Sequence, residues 1–97
     1  MRILTVMAIV LLVPAAALAG TPTQTRIADG FMHLGMAQQK AVCYGGTISG
    51  KLDQQQATKA ASIVESASNS KQVREGVLKG GKDMINAFTA AKRHCGG

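Results

Sequence analysis

Between Ser70 and Cys95 the larger apolar residues return at helical intervals. Val73, Val77, Met84, Phe88, Ala91 and Cys95 stand 4, 7, 4, 3 and 4 positions apart. At 100° per residue they share an arc of about 60°, the narrow stripe of a helix with one buried face. Lys71, Arg74, Lys79, Lys82 and Arg93 fall mostly on the other side. The spacing predicts a helix capped by Ser70 and reaching Cys95. Gly76, Gly80 and Ala87 form a small-residue strip beside the stripe, where a neighbouring backbone can come close. The Gly80-Gly81 pair costs about 1 kcal/mol per glycine against alanine and marks a place for a kink.

Two more helices are predicted upstream. Leu52, Ala60, Ile63, Val64 and Ala67 make one face, with Lys59, Ser62 and Glu65 outside it. Asp53 with Gln56 has the spacing of a capping pair, so this helix runs from about Leu52 or Asp53 to Ala67. The first helix is read from a Thr25 cap to about Cys43, ended by a Tyr44-Gly45-Gly46 turn. Its apolar residues fall on two sides: Ile27, Phe31, Leu34 and Ala41 on one, Met32, Met36 and Cys43 on the other. A helix apolar on two sides is buried between neighbours or shows one side to a partner. There is no useful strand alternation and no internal repeat.

The residues before Gly20 read as an address label rather than as part of the fold. Met1-Arg2 gives a positive start, Ile3 to Val13 is apolar but for Thr5, and Pro14 breaks the run. Ala17-Leu18-Ala19 supplies the small-x-small pattern of a signal peptidase site. The apolar stretch is shorter than the 20 or so residues that span a bilayer. Residues 1–19 are therefore expected to be a signal peptide cleaved after Ala19, and residues 20–97 a single helical domain. Position 21 is Thr rather than Cys, which argues against a lipid anchor. The expected location is periplasmic or secreted, with no membrane-spanning segment after cleavage.

Export changes how the two cysteines are read. In an oxidising compartment thiols pair, and two cysteines allow one intramolecular connectivity, Cys43–Cys95. An up-down-up three-helix bundle would bring the ends of its first and third helices together, which suits that pairing. The expected fold is thus all-α, a small three-helix bundle stapled by one disulfide. Closing a loop of about 53 residues is worth about 4 kcal/mol on the chain-entropy account. The staple matters because only 17 apolar residues larger than Ala and other than Cys follow the leader.

No catalytic set is legible, so an enzyme is not expected. His33 and His94 are the only imidazoles, and the disulfide removes both cysteines as nucleophiles. Glu75-Lys79 and Lys79-Asp83 have the i,i+4 spacing of solvated ion pairs. C-x-x-C-H haem attachment, phosphate loops and dinucleotide fingerprints are missing, and no cofactor is expected. Gly46-x-x-x-Gly50 and Gly76-x-x-x-Gly80 have membrane-helix spacing, but helices this charged suit close packing in a water-soluble bundle.

Charge narrows the partner rather than the fold. Losing Arg2 with the leader lowers the formal charge from +6 to +5. A basic surface favours an envelope protein or an anionic surface as partner. Nucleic acid is not expected, since one Tyr and two Phe leave little for base stacking. The leading expectation is a small exported, non-enzymatic protein of the bacterial envelope that acts by protein binding, of inhibitor, immunity or stress-protective type. Its candidate contact residues are Tyr44, Lys71, Arg74 and Lys82. One alternative is periplasmic copper binding by Met32, His33, Met36 and His94, since thioethers select Cu(I); against it, methionines at helical spacing ordinarily fill a core. The other is a basic, membrane-active helical peptide.

Overall fold

Pro22 opens the first helix of the computed structural model, which describes residues 22–96. Proline suits a first helical position because its missing N–H would be unpaired there anyway. Five helices follow one another, with no strand among the described residues: α1 Pro22–His33, α2 Gln38–Lys51, α3 Gln54–Ser66, α4 Ser70–Lys79 and α5 Lys82–Cys95. The signal peptide expected over 1–19 and its cleavage site lie outside the described residues.

The described residues are all-helical and carry the Cys43–Cys95 disulfide, as expected, but they form five helices rather than three. The first predicted helix divides at Gly35, whose φ of +101° suits a residue without a side chain. Met36 N–H donates to Phe31 O and Gly35 N–H to Met32 O, each at 3.0 Å. These two bonds are the paired closure of a Schellman turn, with Gly35 at its left-handed position. The residues read as two apolar sides of one helix are therefore divided across the break, with Ile27, Phe31 and Met32 on α1, Leu34 and Met36 in the turn, and Ala41 and Cys43 on α2.

Gly45 and Gly46 do not end a helix; they lie inside α2. A Cβ on Gly45 would stand 2.7 Å from the Gln24 carbonyl oxygen and 3.3 Å from Ala28 Cβ. The residue is small because α1 and α2 cross there, not because the chain turns. The third predicted helix divides between Gly80 and Gly81, and Gly81 has a φ of +100°. Caps shift by one position too: Asn69, not Ser70, accepts from the Gln72 N–H at 3.0 Å. Asp53 caps α3 as read, accepting from the Gln56 N–H at 2.8 Å.

The main packing joins α1 to α2, α2 to α5, and α1 to α3, while α4 rests more lightly against α3 and α5. The largest fully buried side chains are Ile27, Ile48, Val64 and Met84. Around them lie Ala41, Ala57, Ala60, Ala61, Ala87 and Ala91, whose small volume lets the axes approach. The predicted α3 face is buried or half-buried, and Lys59, Ser62 and Glu65 are exposed, as read. Gly76 admits Ile63, whose Cγ2 would be 2.7 Å from an added Cβ. Gly30, which carried no obvious pattern, faces Val64 with only 2.5 Å available for such an atom.

Polar ties between elements are few. Arg26 on α1 grips Glu65 on α3 with two hydrogen bonds, Nε to Oε2 at 2.9 Å and a terminal nitrogen to Oε1 at 2.6 Å. The guanidinium's hydrogen bonds hold the Glu65 carboxyl below its ordinary range. Both groups are well exposed, so water and salt screen the pair. Gln54 Nε2 donates to Thr23 Oγ1 at 3.0 Å, joining the start of α3 to that of α1.

Candidate functional site

A groove of about 710 Å³ opens where the α1–α2 turn, α4 and α5 fail to close on one another. Its position follows from the glycines. Gly35 turns Leu34 and Met36 into one end wall, and the Gly80-Gly81 break lets α4 lie over α5 only loosely. Phe31, Tyr44, Val73, Val77 and Phe88 form its apolar floor. Phe31 is the hub, with ring centroids 5.0 Å from Tyr44 and 6.2 Å from Phe88, both tilted. Leu78 lines the groove with 60% of its surface exposed.

The charge around this floor has one sign. Lys40 from α2, Arg74 from α4 and Lys92 from α5 line the groove, and no carboxylate does. The start of α2 at the same place has no side-chain cap and no acid in its first turn. Its free N–H groups add partial positive charge there. Such an arrangement is complementary to an apolar group that carries negative charge.

Tyr44 is placed differently from the sequence expectation. It is buried in the middle of α2 rather than exposed in a turn, and it contributes to the groove lining. Its hydroxyl donates to the Gly96 carbonyl at 2.9 Å, fastening the residue after Cys95 to α2. Burial raises its pKa above the usual phenol value. The ionised form is disfavoured in the fold, so stability present below pH of about 10 is lost as pH rises through the folded pKa. Tyr44 is the chain's one tyrosine, so an ultraviolet phenolate titration reads it directly. We expect a midpoint above that of a free tyrosine, with Tyr44→Phe removing the alkaline loss of stability; an unshifted midpoint would contradict the burial.

Of the other predicted contact residues, Arg74 lines the groove, whereas Lys71 and Lys82 are exposed outside its lining. The soft-ligand candidates are not gathered into one pocket. Met32 and Met36 are half-buried against the core, and Met36 lines the groove. His33 is exposed at the end of α1. His94 lines a separate hollow with Lys51 and Arg93. Among the described residues no three His, Cys, Asp or Glu side chains are grouped to hold a metal. No helix among them is long and apolar enough to cross a membrane.

The disulfide pairing was legible, but the reason for it differs. Cys43 lies within α2, not at a helix end, and meets the last residue of α5 with Cα atoms 5.8 Å apart. The groove itself was missed. The turn signal at Gly35 and the outward Leu78 next to Val77 were the clues available for it. Comparison with protein-family models, curated proteins and solved structures finds no match for this chain.

Proposed function

We propose that the protein is a small exported, non-enzymatic binding protein of the bacterial envelope, of inhibitor, immunity or stress-protective type. It docks an apolar segment of a partner protein in the groove between the α1–α2 turn, α4 and α5. The observation that carries this reading is the groove's apolar lining above its buried floor, where Leu34, Met36, Ile85 and Phe88 are half-buried and Leu78 is exposed. Exposed apolar surface of this kind is unfavourable in water unless something covers it. Copper handling is the weaker proposal, because both thiols are in the disulfide and Met32 and Met36 pack against the core. A membrane-active role is weaker as well, since the exposed large hydrophobics among the described residues, Val42 and Leu78, stand on different helices.

The test is photo-crosslinking in the cell that makes the protein. A benzoyl-phenylalanine at position 78 should give a discrete partner band, and one at Ser62, exposed on α3, should not. Bands of equal strength from both positions, or none from position 78, would overturn the reading.

A further inference from the structure

We infer that the groove selects an acidic amphipathic segment, a stretch of partner protein whose apolar face is flanked by carboxylates. The inference rests on the docking role proposed above and names the chemistry of the partner. Lys40, Arg74 and Lys92 surround an apolar floor, and among the described residues the one salt bridge joins Arg26 to Glu65. None of the three groove cations is thus held in a salt bridge. The uncapped start of α2 adds to the same field. A partner apolar enough to cover Leu34, Phe88 and Leu78 brings its own flanking groups against these cations. Lysines there would meet like charge in a partly dried setting, whereas carboxylates would form charge-assisted hydrogen bonds.

Three different helices contribute the cations, so several spaced carboxylates match them better than a single head group. The openness of the groove agrees, because a side chain at its edge can reach a segment lying across it. The apolar floor supplies affinity, and the cationic rim selects the partner and sets its orientation.

The experiment uses the oxidised protein and two dye-labelled synthetic helical peptides with the same Leu/Phe stripe. One carries Glu on its flanks, the other Lys, and binding is read by fluorescence anisotropy. The Glu peptide should bind, weaken as salt is raised, and lose roughly tenfold in affinity with Lys40→Gln/Arg74→Gln/Lys92→Gln. The melting temperature of that variant checks that its fold is intact. Leu78→Asp should weaken the Glu peptide as well. Equal binding of the Lys peptide, or unchanged affinity in the triple variant, overturns the charge selection while leaving groove docking standing. Glu-peptide binding untouched by Leu78→Asp places the peptide elsewhere and overturns the docking reading itself. Binding of sub-micellar laurate with neither peptide bound would assign the groove to a lipid acid and overturn the inference.

Discussion

Cys43→Ser/Cys95→Ser, or reduction of the wild type, is expected to lower the melting temperature by more than about ten degrees. The bond closes a loop between residues 52 positions apart. A loop of that length restricts the unfolded chain by about 4 kcal/mol on the entropic account. A small domain has only about 5 kcal/mol or a little more to lose, and this one fills much of its core with alanine. The structure adds a local reason. α5 is held mainly by α2, and the disulfide and the Tyr44–Gly96 hydrogen bond fasten its last turn there. Without the bond that end frays, and the groove loses its α5 wall. Far-ultraviolet circular dichroism should show helix content lost in the same transition as the fold, since helices of 10 to 14 residues are marginal alone. Melting unchanged by reductant would refute the expectation, as would two free thiols by intact mass.

Gly45→Ala should destabilise by about 2 kcal/mol, although alanine is the better helix former by about 1 kcal/mol. The added carbon would stand 2.7 Å from a backbone oxygen of α1, which cannot swing aside as a side chain can. Relief requires α1 and α2 to separate, and overpacking of that kind typically costs 1–3 kcal/mol. Gly50, in the same helix, is the control, because nothing lies within 4 Å of its added carbon. Gly50→Ala should therefore stabilise, by up to about 1 kcal/mol. Urea denaturation of both variants separates the effects. Two stabilised variants would mean that the helices are not held at the described distance.

Helical content, the α3 face and its Asp53 cap, the Val73–Cys95 stripe and the disulfide pairing were all readable, because each is a local period or a forced choice. The number of helices was not. A Gly-Gly pair inside α2 and another between α4 and α5 look alike in sequence; only the partner helix at Gly45 distinguishes a crossing point from a break. Gly35 was the converse case, a lone glycine in a long apolar pattern whose left-handed backbone divides it. The basic groups were visible along the chain, but their gathering around one apolar floor depends on how α2, α4 and α5 meet. Tyr44 shows the same limit, since proximity to glycines suggested a turn while its burial comes from Phe31 and the chain end.

The light anchoring of α4 has a dynamic consequence. Its ten residues bury only Val73 and Val77, and glycines follow its last turn. Opening it exposes little apolar surface, so its free energy of local unfolding lies below that of α1 to α3. Amide hydrogens of α4 should exchange with solvent before those of α2, and uniform protection across both helices would contradict this. The groove wall that carries Arg74 and Leu78 is thus expected to open more readily than α2. Whatever settles there can adjust its seat without disturbing the core, and exchanges a flickering helix for a fixed one as it binds.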